Sequence, residues 1–241
     1  MKYNDIREKY QNIPSTATIV DKYATKISPM LTKVFIKTKL TPNEITILMI
    51  ISGLIGGGLF FINNIYFRIL GLIFIHLWYI LDCCDGEVAR IKKKFSSFGK
   101  ELDFSAHILN HPIYNIAFAM ALISTNKYNS LYVTIMFIAL LSLDMLGRNL
   151  LSFDIIYKMK YPSENQGHEN KKTSSLKLFV GKVMSFFADY PNFALIFPII
   201  YVFDYITKWN LSIIYLSIQV LAVALIILRQ YVRWITKIKD L

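Results

Sequence analysis

The sequence predicts an all-α, polytopic membrane protein with six transmembrane helices and an N-terminal interfacial amphipathic helix. Of its 241 residues, 54% are hydrophobic and only 18% are charged, and the mean hydropathy is +0.42. The apolar residues gather into roughly six blocks, most of them near the ~20 residues that a helix needs to cross a bilayer. Lipid cannot satisfy exposed backbone groups, so the blocks are predicted to be helical. A water-soluble globular enzyme, a disordered chain and a coiled coil are excluded.

The N-terminal cytoplasmic segment, residues 1–41, is predicted to contain the interfacial helix between Ile19 and Phe35. Its apolar face comprises Ile19, Tyr23, Ile27, Met30 and Val34, and its basic face comprises Lys22, Lys26, Lys33 and Lys37. This arrangement is typical of helices that lie in the membrane interface. The first forty residues carry too many charges for a secretory signal peptide, so we expect the N-terminus to be retained.

The six-span membrane domain is predicted to occupy residues 42–235 and to be followed by a cytoplasmic tail, residues 236–241. Thr41-Pro42-Asn43-Glu44 has the pattern of a capping box with proline at the first helical position, which indicates that a helix starts here. The predicted spans begin at Pro42, Ile69, about Lys100, Tyr132, Asp189 and Leu211, with ends near Ile62, Arg90, Ser124, Ser152, Phe203 and Leu228.

The stretch between residues 158 and 203 is less regular. Tyr161 to Ser175 is predicted to be a solvated loop that includes Lys171 and Lys172. For the residues that follow, either one long helix runs from Leu176 to Phe203, or a surface helix ends near Ala188 and a shorter span begins with Asp189 as its cap. We favour the second arrangement because it keeps Asp189 and Lys182 out of the hydrocarbon.

Basic residues predict the orientation of the chain. Of the 27 Lys and Arg residues, all but three fall in residues 1–43, 90–101, 148–182 and 229–241. The three in the opposite connections are Arg68, Lys127 and Lys208. The positive-inside rule therefore places both termini and the region from Asp82 to Asp103 in the cytoplasm. The net charge of +11 follows topology and not one soluble face, so we expect contacts with membrane lipids and none with nucleic acid.

Carboxylates concentrate where the second and third spans meet the cytoplasm. Asp82 and Asp85 lie three residues apart on one helix, and Asp103 and His107 lie four residues apart on the next, so each pair shares a helix face. A single pair of this kind is more often a solvated surface. Several carboxylates at a membrane boundary are costly unless a cation lies between them, which predicts Mg²⁺ held by oxygen ligands together with substrate phosphates.

The pattern Asp82-x-x-Asp85-Gly86-x-x-Ala89-Arg90, eight residues, Gly99, three residues, Asp103 resembles the signature of the CDP-alcohol phosphotransferase family. The resemblance implies a six-span homodimeric enzyme whose active site opens to the cytoplasm. It would transfer a substituted phosphate group from CDP-diacylglycerol or a CDP-alcohol to an acceptor hydroxyl, releasing CMP and forming a phosphodiester. The product is expected to belong to phospholipid biosynthesis.

The resemblance also implies roles for individual residues. Asp82, Asp85 and Asp103 would be metal ligands, and His107 and Asp103 would be catalytic. The expected nucleotide-binding residues are Gly86, Ala89, Arg90, Gly99 and Asn43. Arg90 can also be explained as a topology determinant and Asn43 as part of the helix cap. Arg148 and Lys182 are expected on the acceptor-phosphate or lipid side, although Arg148 could instead form an ion pair with Asp144.

His107 departs from the family pattern, which has a fourth Asp at this position. Histidine could act as the general base in a working enzyme, could change the metal content in favour of Mn²⁺, or could mark the loss of activity. Two other functions therefore stay open: decoration of a glycan or another non-glycerolipid acceptor, and a non-catalytic membrane homologue that binds nucleotide. The sequence does not show whether the lipid is the donor or the acceptor.

Overall fold

The computed structural model describes residues 2–13, 17–160 and 175–239. Within these residues the regular secondary structure is all α-helix, as the sequence predicted. The helices are α1 (Tyr3–Tyr10), α2 (Ile19–Phe35), α3 (Pro42–Phe61), α4 (Ile65–Lys92), α5 (Gly99–Ile123), α6 (Ser130–Lys160), α7 (Ser175–Ala188), α8 (Tyr190–Thr207) and α9 (Leu211–Lys239).

Several of these helices are long and apolar enough to cross a membrane. Among the described residues, α3, α4, α6 and α9 each meet this requirement alone, and α7 and α8 meet it together as a span bent by 76°. Helix α5 is less apolar because it carries Asn110, His111 and Asn115, all of them buried against neighbouring helices. The chain is a multi-pass integral membrane protein, and the count of six spans stays a prediction.

The predicted helix starts are largely confirmed. At the start of α3, the Thr41 backbone N–H donates to Glu44 Oε2 (2.7 Å) and the Glu44 N–H donates to Thr41 Oγ1 (3.3 Å). The break between α7 and α8 falls at Asp189, as favoured from the sequence, but the Asp189 side chain makes no capping hydrogen bond.

Some boundaries differ from those expected. Helix α1 was not predicted from the sequence, and α6 extends to Lys160. Helix α9 continues to Lys239, so the described part of the predicted tail prolongs the last helix. The expected loop around Lys171 and Lys172 lies outside the described residues, as do residues 240–241.

Helices α3, α4 and α5 form the centre of the bundle. Small residues bring them close together, because a Cβ atom on Gly71 would lie 2.8 Å from the Gly56 carbonyl oxygen, and one on Gly53 would lie 2.5 Å from Asn110 Nδ2. Close backbone approach through small residues is the usual way in which membrane helices gain packing contacts. This packing positions the C-terminal part of α4 and the N-terminal part of α5, where the acidic residues lie.

Helix α2 coincides with the predicted amphipathic helix, and its apolar face points away from the protein. Ile19, Met30 and Val34 are exposed, whereas the small polar residues Ser28 and Thr32 are buried. An apolar face left uncovered by protein is consistent with contact with the bilayer. The helix therefore attaches to the rest of the chain through a face of mostly small residues that includes Ala24, Ser28 and Thr32.

That attachment centres on the buried carboxylate of Glu87 in α4. Glu87 Oε1 accepts hydrogen bonds from Ser28 Oγ (2.5 Å) and Gln11 Nε2 (2.8 Å), and Glu87 Oε2 accepts one from Thr32 Oγ1 (2.6 Å). Hydrogen bonds that involve an ionised group are stronger than those between neutral groups. Glu87 thus joins the N-terminal segment to the helix that carries the family pattern.

We predict that Glu87→Ala destabilises this junction by roughly 2–4 kcal/mol, because it leaves several buried donors without an acceptor. The midpoint of thermal unfolding in detergent should fall, and proteolysis near Gln11 should become faster. Glu101→Ala is the matched control, since Glu101 is exposed on α5. Equal midpoints for the Glu87 and Glu101 variants would contradict the assignment.

Candidate active site

Three potential ligand atoms converge where α4 and α5 approach each other. Side-chain atoms of Asp82, Asp103 and His107 lie within 4.8 Å of one another. His107 Nε2 is 3.6 Å from Asp82 Oδ1 and 3.6 Å from Asp103 Oδ1, which is longer than a hydrogen bond. Asp103 Oδ1 is buried and has no hydrogen-bond partner among the described residues. His107 therefore lies at ion-pair distance from both carboxylates without a close hydrogen bond to either.

The ring of His107 is positioned by aromatic packing. Trp78, one helical turn before Asp82, lies edge-on to His107 with a centroid distance of 5.4 Å, and it also lies edge-on to His111 at 6.1 Å. Trp78 is fully buried. Such edge-to-face contacts restrict ring orientation, so Nε2 of His107 is held towards the two carboxylates.

Asp85 lies one turn beyond Asp82 and is oriented by a different helix. Its Oδ2 accepts a hydrogen bond of 2.6 Å from Thr46 Oγ1 on α3. Thr46 is almost fully buried, so its hydroxyl is a fixed donor. Asp85 is not one of the three closely grouped residues, and the structure places it beside that group with one carboxylate oxygen already in use.

Asp82 and His107 face a cavity of about 430 Å³. Its lining also includes Asp144 and Arg148 from α6 and Asp189 from the break between α7 and α8. Apolar side chains such as Val223 of α9 cover its remaining wall. Charged groups from four separate parts of the chain thus meet in a single space that is partly apolar, as in many small-molecule sites.

Arg148 is held in the cavity wall by two neighbours. Its Nε donates to Asp144 Oδ2 (3.1 Å), and its Nη2 lies 2.7 Å from Nδ1 of His111. The ring of His111 stacks on Tyr190 with a centroid distance of 3.7 Å. Both alternatives for Arg148 are therefore compatible with the structure, since it forms an ion pair with Asp144 and also lines the cavity.

Asp82, Asp103 and His107 are called the acidic group below. Several residues expected to bind the nucleotide lie close to it in the sequence. A Cβ atom on Gly86 would come within 3.3 Å of Arg90 Nη1, so the glycine makes room for the Arg90 guanidinium. Arg90 Nε donates to the carbonyl oxygen of Tyr10 at the end of α1. Gly99 opens α5 close to Asn43, because a Cβ atom on Gly99 would be 3.7 Å from Asn43 Oδ1.

Ala89 and Lys182 lie at the edges of this region. Ala89 is half-buried in the last turns of α4, and its carbonyl oxygen accepts the Lys94 N–H. Lys182 is exposed on α7 and is not among the described residues that line the cavity. The structure thus brings Arg148 to Asp82 and His107 but does not bring Lys182 to them.

A protein-family model described as CDP-alcohol phosphatidyltransferase matches residues 39–239. The match covers α3 to α9 and includes every residue of the acidic group. The chain belongs to the CDP-alcohol phosphatidyltransferase family. A comparison with curated protein sequences gives no match.

Membership of this family is consistent with the polar residues that lie at neighbouring ends of the apolar helices α4 and α5. CDP-alcohol phosphatidyltransferases are enzymes that transfer phosphate-containing groups from CDP-linked donors to acceptors, and a diphosphate donor needs cationic or metal partners. Among the described residues, Asp82, Asp103 and His107 form a group that could hold a metal ion, and Arg148 lies in the wall of the cavity beside it.

Several residues that shape the site are not predicted from the sequence. Thr46 follows Pro42 by one turn and was treated only as part of an apolar span. His111 follows His107 by four residues, a spacing that places both on one helix face, but the family pattern does not include it. Asp189 was interpreted as a helix cap, and nothing in the sequence relates it to α4.

We predict that Thr46→Val slows the phosphotransfer reaction by about 10–100-fold, the usual cost of losing a residue that orients a metal ligand. The substitution preserves size and removes the donor to Asp85. Thr46→Ser keeps the hydroxyl and should retain most of the rate. The measurement is turnover of the purified variants, with elution volume in size-exclusion chromatography as a check on folding. A rate for Thr46→Val equal to that of Thr46→Ser would exclude this role.

Proposed function

We propose that this phosphatidyltransferase moves a substituted phosphate group from a CDP-linked donor to an acceptor hydroxyl with the help of a divalent cation, releasing CMP. The observation that carries the proposal is the grouping of Asp82, Asp103 and His107, since Asp82 and His107 also line a cavity that contains Arg148. We place the reaction at the cytoplasmic face, because most basic residues flank this end of the helices. Formation of a membrane phospholipid is the favoured outcome.

The acidic group suits a divalent cation. Asp82 and Asp103 offer carboxylate oxygens, and the buried Asp103 Oδ1 has no other partner among the described residues. Asp85 has one oxygen free of the Thr46 hydrogen bond. Oxygen ligands of this kind fit Mg²⁺, and the nearby histidine nitrogen makes Mn²⁺ a reasonable alternative. A bound ion would neutralise phosphate charge and stabilise the departing CMP.

We assign His107 as the general base. The acceptor oxygen forms a bond to the phosphorus that carries the transferred group, and the bond from that phosphorus to the oxygen bridging to CMP breaks. The hydroxyl proton passes to Nε2 of His107, and the bridging oxygen leaves with CMP. His107 is suited to this task because it lines the cavity and neither Asp82 nor Asp103 lies within hydrogen-bond distance of Nε2. Asp82 and Asp103 would stabilise the resulting imidazolium.

The remaining residues bind the substrates. Arg148 is the proposed acceptor-side residue, since a guanidinium in the cavity wall can pair with a phosphate group. Arg90, Gly86, Ala89, Gly99 and Asn43 are proposed to surround the nucleotide. The half-apolar lining of the cavity fits a substrate that has both a charged and a hydrocarbon part. Assembly as a homodimer, the limits of the membrane domain at residues 42–235, and a role for Lys182 stay predictions.

We predict that the purified protein releases CMP from one member of a panel of CDP-alcohols and CDP-diacylglycerol, and that release requires Mg²⁺ or Mn²⁺. Asp85→Asn should abolish this release while the elution volume in size-exclusion chromatography stays unchanged, because the substitution removes charge but little volume. Glu101→Gln provides the matched control at an exposed carboxylate of α5. Metal-independent release would refute the metal site.

The same assay separates the other two functions. CMP release that needs a glycan or another non-glycerolipid acceptor would replace phospholipid synthesis by decoration of that acceptor. Binding of CDP without CMP release across the panel would indicate a non-catalytic homologue. His107 would then be the first position to change back to aspartate, since it is the position where the chain departs from the family pattern.

We predict that His107→Ala lowers turnover by about 10²–10⁴-fold, the usual contribution of a general base. His107→Asp should retain part of the activity because a carboxylate can also accept the proton. Mn²⁺ affinity, measured by electron paramagnetic resonance, should change little in His107→Ala if the histidine is a base. A parallel loss of Mn²⁺ affinity would instead make it a ligand, and unchanged turnover would exclude both roles.

A further inference from the structure

The opposite end of the helical bundle contains a second cavity, of about 780 Å³. It lies where the connections between α3 and α4, α5 and α6, and α8 and α9 meet, and its lining includes Arg68, Ser124 and Tyr201. Arg68 is in the first turn of α4, about 21 Å along that helix from Asp82. This cavity is therefore separate from the proposed active site.

Three basic residues converge on this cavity. All but three of the lysines and arginines are predicted on the cytoplasmic side of the membrane. The three exceptions, Arg68, Lys127 and Lys208, all line this cavity. They come from the start of α4, the connection between α5 and α6, and the end of α8, which are far apart in the sequence. Basic residues are disfavoured on this side of a membrane protein, so their grouping needs a structural or a binding explanation.

Arg68 is buried without a carboxylate to balance its charge. Its Nη2 donates to Ser124 Oγ (2.7 Å), its Nη1 donates to the Tyr201 hydroxyl, and its Nε lies 3.4 Å from the Phe60 carbonyl oxygen. All three partners are neutral, and no ion pair to Arg68 is formed within the described part of the chain. A buried charge is costly unless an opposite charge accompanies it.

The acidic residue that lines this cavity, Asp204, is already hydrogen-bonded to groups other than Arg68. Asp204 accepts hydrogen bonds from Lys127 Nζ (3.1 Å), the Tyr128 hydroxyl (2.7 Å) and the Ser212 backbone N–H (3.1 Å). Lys208 is exposed at the end of α8, and no described side chain pairs with it. With Asp204 balanced by Lys127, Arg68 and Lys208 leave the cavity with a net positive charge.

We propose that this second cavity binds a phosphate or phosphodiester anion. Arginine with lysine is the usual combination for such groups, and the hydroxyls of Ser124 and Tyr201 hold the Arg68 guanidinium in the cavity lining. The helices end here, at the level where lipid headgroups lie, which makes the headgroup of an anionic phospholipid the favoured source of the anion. Free phosphate is the other source.

The test is thermal unfolding of the purified full chain in detergent, titrated with dioleoylphosphatidylglycerol, dioleoylphosphatidylcholine or inorganic phosphate. Phosphatidylglycerol should raise the unfolding midpoint of the wild type more than phosphatidylcholine does. Lys208→Gln should weaken the apparent affinity for phosphatidylglycerol about fivefold, and Lys127→Gln/Lys208→Gln should weaken it further. Lys39→Gln is the matched control, because Lys39 is exposed and lies near the active-site end.

Two results support the proposal and differ in the source of the anion. Selective loss of the phosphatidylglycerol response in the Lys208 variants identifies a lipid headgroup, and saturation by inorganic phosphate with the same dependence on Lys208 identifies a free anion. Identical responses of the wild type, the Lys208 variants and Lys39→Gln overturn it. Arg68→Gln is informative where it folds, and the exposed Lys208 keeps the test valid where it does not. Unfolding is measured without turnover, so the result is independent of the proposed reaction.

Discussion

Helix α4 carries carboxylates on two opposite faces, and the different surroundings of those faces organise the protein. Glu87 points to the N-terminal segment, where Gln11, Ser28 and Thr32 saturate it with hydrogen bonds. Asp82 points to α5, where its Oδ1 lies 3.6 Å from Nε2 of His107 and a carboxylate oxygen lies within 4.8 Å of Asp103. Five residues separate Asp82 from Glu87, which corresponds to about 140° around a helix. One face can therefore be satisfied internally while the other stays available to a ligand.

This division links stability to function. The α3–α4–α5 packing, tightened at Gly53, Gly56 and Gly71, holds the polar helix ends in register. The Glu87 junction then anchors the N-terminal segment, which in turn contacts Arg90 through the Tyr10 carbonyl oxygen. A change in the interfacial helix would thus reach a proposed nucleotide residue through only two contacts. These contacts connect α2 and the end of α1 to the last turns of α4.

Both ends of the bundle gather charge, but with opposite signs. Carboxylates dominate the end proposed for catalysis, where a cation and a diphosphate donor would complete the charge balance. At the other end, Arg68 and Lys208 have no carboxylate partner among the described residues, and an anion would complete the balance there. Buried unbalanced charge is rare in membrane proteins and usually marks a functional site. The same principle therefore supports both proposals, while separate residues carry them.

The all-α membrane class, most helix starts, the family and the residues of the acidic group can be predicted from the amino-acid sequence. These features depend on local signals: apolar block length, the Thr41 capping pattern, and a motif whose spacing places side chains on one helix face. Tertiary structure alone decided that Thr46 orients Asp85, that Arg148 and Asp189 share a cavity with Asp82, and that Glu87 anchors α2. It also decided that Arg68, Lys127 and Lys208 meet. Each of these contacts joins helices that are distant in the chain, and the way in which helices pack is set by side-chain shape and close backbone approach, which hydropathy and spacing do not encode.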